Sequence, residues 1–245
     1  MMVETLEGRR MLSATTTLAN GTVTVQLSDG GAKVDVTERK DGNAITVEVN
    51  DFSQVVLVSD PAIQHIVILG GNGNDTITYA GDPDAAGASI GAYINGGDGN
   101  DIISVMEGAT GNPSTIHGGN GNDTISVIFG NGTQIYGDNG DDTIISNFGS
   151  TQLLDGGNGN DTLVGVGLIS STLSGGNGSD TIIDAAGSGN ALSGGNGNDA
   201  LTVTAGTTGD SISGGNGTDS VSGTSATLAS NTVSPTVENV IVLPA

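Results

Sequence analysis

A hexad of the form Gly-Gly-x-Gly-x-Asp is written eight times between residues 70 and 219, once with a substitution, and each copy runs into a short β-branched stretch. The copies open at Gly70, Gly96, Gly118, Gly137, Gly156, Gly175, Gly194 and Gly214. Their sixth residues are Asp75, Asp101, Asp123, Asp142, Asp161, Asp180, Asp199 and Asp219. The third position holds Asn72, Asp98, Asn120, Asn139, Asn158, Asn177, Asn196 and Asn216, and the fifth holds Asn74, Asn100, Asn122, Asp141, Asn160, Ser179, Asn198 and Thr218. Glycine admits positive φ values, so the backbone of such a loop can fold until its carbonyl oxygens converge; the aspartate adds a carboxylate on a stem too short to stray. That donor set suits a hard cation. Calcium takes six to eight oxygens at about 2.3–2.6 Å. A single loop offers too few, so two adjacent loops must share an ion, and eight loops leave seven gaps between them. The expected metal ligands are these four positions of all eight loops, with about seven calcium ions along one edge. In the fourth loop Asp138 replaces the second glycine, which strains the turn or adds charge to the neighbouring site.

Successive copies are offset by 26, 22, 19, 19, 19, 19 and 20 residues. Self-similarity at that length predicts a solenoid. Two further columns keep phase with the loops. Two residues before each first glycine stand Ile68, Ile94, Ile116, Ile135, Leu154, Leu173, Leu192 and Ile212; at the eighth position stand Ile77, Ile103, Ile125, Ile144, Leu163, Ile182, Leu201 and Val221. A flexible Gly/Asn linker has no reason to hold two aliphatic columns in register, and a set of Asn-Gly hairpins gives the fixed sixth-position aspartate no task. Parallel strands about 4.8 Å apart would stack eight coils into a rod of roughly 34 Å.

The repeat Gly-Gly-x-Gly-x-Asp-x-aliphatic-x resembles the nonapeptide of the RTX, or haemolysin-type, calcium-binding β-roll. The resemblance implies an all-β, parallel β-roll or β-helix solenoid in which each nonapeptide makes a calcium-binding turn and then a strand, with the ion between equivalent turns of successive coils. Tandem copies in that family recur every nine residues, whereas here they recur about every 19. One edge alone should then carry standard loops, and the other should turn through looser segments, Gly130-Asn131-Gly132, Gly149-Ser150, Gly187-Ser188-Gly189 and Gly206-Thr207-Thr208, without calcium.

Charge agrees with this reading. All five basic residues, Arg9, Arg10, Lys33, Arg39 and Lys40, lie in the first 40 positions, while 22 of the 27 acids follow them, all Asp except Glu48, Glu107 and Glu238. A stacked aspartate column repels itself along the rod unless cations intervene, so metal binding and folding should be one event. Seven calcium ions would bring a formal net charge of −22 to about −8. Nucleic acid is excluded as a partner, because phosphate contacts need Lys or Arg. With 2% aromatic residues, no Trp, no Cys and 43 Gly, the chain cannot build a conventional aromatic core, a disulfide framework or a thiolate site. No apolar run approaches the roughly 18–20 residues of a transmembrane helix.

Leu6-Glu7-Gly8-Arg9-Arg10-Met11-Leu12-Ser13-Ala14 is similar to the Leu-Glu-Pro-Arg-x-Leu-Leu-Ser-Ala leader (LEPRxLL) of repeat-rich bacterial surface proteins, with Gly8 in place of proline. It implies export to an extracellular or cell-surface location. Alternating segments Thr22–Leu27, Lys33–Thr37, Ala44–Val49 and Gln54–Val58, separated by turns such as Asp29-Gly30-Gly31 and Asp41-Gly42-Asn43, predict an N-terminal β-meander that caps the solenoid. The expected organisation is a leader or tail over 1–18, a β cap over 19–62, the roll over 63–224 and a capping strand, Asn239–Leu243, within 225–245.

His65 and His117 read as exposed or half-exposed strand residues, and Phe52, Tyr79, Tyr93, Phe129, Tyr136 and Phe148 as residues packed at strand or turn edges. No His-Glu-x-x-His pair or other catalytic constellation is visible. The favoured function is a calcium-binding structural protein of the cell exterior, not an enzyme, whose partners besides calcium would be a surface polysaccharide or another surface protein. Two other classes compete. A parallel β-helix enzyme such as a polysaccharide lyase would place Lys or Arg beside an acidic substrate, and the roll has neither. An adhesin or ice-binding solenoid would carry unbroken threonine ranks, but Ile102, Ala200 and Ser220 interrupt Thr76, Thr124, Thr143, Thr162 and Thr181 at position seven.

Overall fold

The computed structural model describes residues 14–27, 30–39, 44–49, 58–59, 64–81, 90–108 and 111–244. Each coil gives one strand to each of two sheets. Its first strand runs up to the third position of the loop, as in Leu153–Asn158, and its second leaves at the seventh, as in Thr162–Ile169. Fourth to sixth positions alone make the turn. Coils stack in parallel at the sequence period, pairing Leu154 with Leu173 in one sheet and Leu163 with Ile182 in the other. Among the described residues the result is an 11-stranded sheet facing a 12-stranded one, an all-β parallel solenoid.

Alternation explains which side is inside. β-Branched and leucine side chains at every second position of a half-buried strand all point to one face. Both aliphatic columns line the space between the sheets, and none of their sixteen members is more than 2% exposed. Burial of each contributes about 1.5–3 kcal/mol. Tyr79 departs from its expected edge position: it is buried, and its hydroxyl donates to the carbonyl of Ile90.

The N-terminal strands differ from a simple meander. Thr22–Leu27 joins the first sheet against His65–Asn72, while Lys33–Arg39 joins the second against Thr76–Ala80, so these two strands form a coil of their own instead of pairing with each other. Gly30 and Gly31, at φ +110° and +79°, continue the column of loops, and Gly30 N–H donates to Asn72 O at 2.6 Å. Antiparallel hairpins then flank this coil, Ala14–Ala19 beside Thr22–Leu27 and Ala44–Val49 beside Lys33–Arg39. The leader up to Ser13, the turn at 41–43 and the segment 54–57 fall outside the described residues, as does Phe52.

At the other end, Thr224 caps the five-residue helix Ser225–Ala229, its hydroxyl accepting from Thr227 N–H at 3.2 Å. Thr232–Val233 and Asn239–Leu243 then extend the two sheets. Among the described residues no helix is long and apolar enough to cross a membrane.

The second edge is tighter than its glycine content suggests. Phe129, Phe148, Gly167, Ala186 and Gly206 all have φ between +59° and +100°, and four residues after each an inward polar side chain follows: Thr133, Gln152, Ser171, Asn190 and Asp210. These residues are tied coil to coil. Gln152 N–H donates to Ser171 Oγ at 3.1 Å, Ser171 N–H to Asn190 Oδ1 at 2.9 Å, and Asn190 N–H to Asp210 Oδ1 at 2.9 Å.

Candidate metal centre

The sixth-position aspartates sit inside the first edge, not on its surface. All eight are at most 2% exposed. One oxygen of each has a fixed partner in the preceding coil: Asp123 N–H donates to Asp142 Oδ1 at 2.7 Å, Asp142 N–H to Asp161 Oδ1 at 2.8 Å, and Asp161 N–H to Asp180 Oδ1 at 2.8 Å. The pattern holds from Ala32 N–H, which donates to Asp75 Oδ1, through Asp199 N–H, which donates to Asp219 Oδ1. The other oxygen is different. Among the described residues nothing donates to Oδ2 of Asp101, Asp123, Asp142, Asp161, Asp180, Asp199 or Asp219. Asp75 is the exception, since Gly71 N–H reaches its Oδ2 at 3.0 Å.

A buried carboxylate oxygen without a donor is costly and calls for a cation or a proton. Its surroundings say where help can come from. A methyl group on Gly156 would collide with Asp161 Oδ2 and with the carbonyl oxygen of Gly175 in the next coil. The same pair, the loop's own Oδ2 and the following coil's first-glycine carbonyl, crowds Gly96, Gly118, Gly137, Gly175 and Gly194. First and sixth positions therefore converge, and oxygens from two coils face the same point. This is the donor chemistry of a hard cation. Among the described residues no three His, Cys, Asp or Glu side chains group as a metal site, because the carboxylates come one per coil; an ion here must draw on backbone carbonyls as well.

Third and fifth positions are arranged otherwise. Their side chains are exposed and bonded along the rod: Asn158 Nδ2 donates to Asn139 Oδ1 at 3.0 Å, and Ser179 N–H to Asn160 Oδ1 at 2.9 Å. Third-position carbonyls accept the fourth glycine's N–H of the preceding coil, as Asn177 O does from Gly159 at 2.8 Å. In the fourth loop Asp138 takes φ +74°, in a column where Gly119 has +115°, and its Oδ2 lies 2.8 Å from His117 Nδ1. That imidazole stacks on Tyr136 with ring centres 4.7 Å apart.

Burial and the shortage of cations act on the acidities. Desolvation pushes Asp101, Asp142, Asp161 and Asp180 up to about 6 and Asp123 to about 7, and the charges of neighbouring aspartates add to the rise. Asp138 contributes to this at Asp123 and Asp142.

A family model described as an RTX calcium-binding nonapeptide repeat of four copies matches residues 67–84, 93–110, 110–133, 134–153 and 153–166. These segments are RTX nonapeptide repeats. No curated protein and no solved structure matches the chain. The RTX register continues past residue 166 in the structure, where Gly176 pairs with Gly195 and Gly195 with Gly215. The chain carries RTX-type repeats on a parallel β-solenoid.

Sequence reasoning missed the end of the RTX carboxylate column. Glu238 Oε2 accepts Asp219 N–H at 2.7 Å, in the place a ninth aspartate would take. The signal was present, because Glu238 lies 19 residues after Asp219, one repeat further. The second-edge ladder was missed too. Its inward residues are chemically mixed, so no single letter marks the column.

Proposed function

We propose that this protein is a calcium-dependent structural rod of the cell exterior, whose folding is completed by ions held between successive loops of the first edge. The observation that carries the reading is the buried column of seven carboxylate oxygens without donors, in a chain that has no Lys or Arg after residue 40. Each ion would take Oδ2 of a sixth-position aspartate from Asp75 to Asp199 and the first-glycine carbonyl of the next loop, with other loop carbonyls completing the shell; six of the seven donor-less oxygens fall in such gaps, and Asp219 has no loop after it. Eight loops then hold about seven ions. Because the site needs two stacked coils, it does not exist in the unfolded chain, and binding energy becomes folding energy. Exterior calcium is abundant enough to fill weak sites, which agrees with the leader-like Leu6–Ala14. The role is scaffolding, not catalysis, and a surface polysaccharide or a second surface protein is the partner class.

Calcium titration by calorimetry, with circular dichroism in parallel, tests this. Chelation should convert a β-rich spectrum to a coil-like one that calcium restores, with a stoichiometry of about seven. An unchanged spectrum and no heat of binding would overturn the reading.

A further inference from the structure

The third-position asparagines are each followed by the fourth glycine, and Asn-Gly is the pair in which backbone nitrogen most easily attacks a side-chain amide. We propose that these asparagines are deamidation sites guarded by the coil stack, and that modification begins at Asn216 and moves inward from there.

In the reaction the glycine nitrogen loses its proton and bonds to the asparagine Cγ. The Cγ–Nδ2 bond breaks, ammonia leaves with that proton, and water opens the succinimide ring to aspartate or isoaspartate. The nitrogen must therefore be released from any hydrogen bond. Inside the stack it is held: Gly140 N–H donates to Asn158 O, Gly159 N–H to Asn177 O and Gly197 N–H to Asn216 O, each at 2.8 Å. The amides are held too, Asn196 Nδ2 donating to Asn177 Oδ1 at 2.7 Å and Asn216 Nδ2 to Asn196 Oδ1 at 2.8 Å. Reaction at these rungs waits on local opening.

Asn216 stands at the open end of this ladder. Thr232–Val233, the strand that follows in the first sheet, pairs only with Ser211 and Ile212. The chain beyond it meets this loop at its two flanks, where Thr236 Oγ1 accepts Gly214 N–H at 3.2 Å and Glu238 Oε2 accepts Asp219 N–H at 2.7 Å, and no fourth-position glycine of a further coil lies over Asn216 among the described residues. Gly217 is exposed, and its N–H has no acceptor among the described residues. Conversion of Asn216 to isoaspartate lengthens the main chain by a methylene and shifts the carbonyl that holds Gly197. It also removes the amide that donates to Asn196 and adds a negative charge near Asp219. Each event thus loosens the next rung. Asp98 closes the run of side-chain bonds that starts at Asn216, accepting from Asn120 Nδ2 at 2.7 Å.

The test is peptide mapping by mass spectrometry of the full chain, incubated with calcium at mildly alkaline pH and, separately, in urea. Folded, Asn216 should deamidate at least about tenfold faster than Asn158, the ratio set by an opening free energy of about 1.4 kcal/mol, with Asn196 following Asn216 in time. Unfolded, the rungs should react alike. Equal rates at Asn216 and Asn158 in the folded protein would overturn the guarding role, and so would a preference for Asn216 that persists in urea. Asn216→Gln keeps an amide donor but closes the ring far more slowly, so Asn196 should then stay intact; unchanged deamidation at Asn196 would overturn the inward progression. The hairpin pair Asn20-Gly21, outside the ladder, provides the internal reference rate. The coil stack is all this requires, so its outcome is independent of how many ions the rod holds.

Discussion

Asp161 shows how one side chain serves two ends. Its Oδ1 satisfies the backbone of the preceding coil and its Oδ2 faces the next coil's glycine carbonyl. The chain already contains the neutral version of this arrangement. On the second edge Asn190 Oδ1 accepts Ser171 N–H, while its Nδ2 donates to Leu168 O at 3.1 Å and to Asp184 Oδ2 at 2.8 Å. Asp161→Asn should therefore have opposite effects in two buffers. In chelator it should stabilise the fold by about 1–3 kcal/mol, since an amide donor replaces an unpaired buried oxygen. In calcium it should weaken binding at the adjoining gap by about tenfold or more, 1.4 kcal/mol or above. Thermal melts with and without calcium check both signs; destabilisation in chelator would show that the buried oxygen was never a liability. The place of Asp161 in a column of aspartates was legible in the repeat. Its inward direction was not, because an aspartate in a glycine-rich loop has the same letter whether it faces water or the core.

The elements that carry these residues are ladders, and their chemistry is set by the edge they form. On the first edge, burial raises the folded-state pKa of Asp101, Asp142, Asp161 and Asp180 to about 6 and of Asp123 to about 7, above the value near 4 of an unfolded aspartate. A group raised on folding stabilises the fold fully below its unfolded value and loses that contribution as pH rises through the folded one. The metal-free protein should thus gain stability on acidification from pH about 8 to about 5. With calcium present the same acidification should remove stability, because protons compete for the ligands. Melts in chelator that do not rise between these values would contradict the buried ladder. On the second edge the recurring left-handed residue is Gly167 or Gly206 in two coils but Ala186 in another, at φ +60°. Left-handed backbone costs a residue with a Cβ about 1–2 kcal/mol, and glycine gives back some of this in chain entropy. Ala186→Gly should then stabilise the protein by about 0.5–1 kcal/mol in a melt, whatever the calcium level.

The molecule as a whole is a one-dimensional stack, and most of its contacts join a coil only to its neighbours. Deleting residues 156–174 would remove one 19-residue period and join Asp155 to Gly175 in phase, leaving both aliphatic columns and the carboxylate ladder continuous. That shortened chain should fold and bind one calcium ion fewer by calorimetry. A deletion that abolished folding would show that the coils are not interchangeable. The ends, in contrast, are specific. Ala32 N–H opens the carboxylate column and Glu238 closes it, so the N–H to carboxylate ladder runs unbroken from one end of the described stack to the other while the Oδ2 column beside it stays without donors from Asp101 to Asp219.

From the sequence alone came the period, the two inward aliphatic columns, the parallel all-β stack and the RTX character, because each depends on a local pattern repeated in phase. Alternation decides faces, and repetition decides neighbours. The tertiary structure alone decided what sits opposite what across a distance no motif encodes. It placed the strands Thr22–Leu27 and Lys33–Arg39 in different sheets, turned the sixth-position aspartates inward beneath the next coil's glycine carbonyls, and built the second edge from a mixed set of polar residues. Those outcomes follow from burial and from hydrogen bonds between coils, which exist only once the coils are stacked.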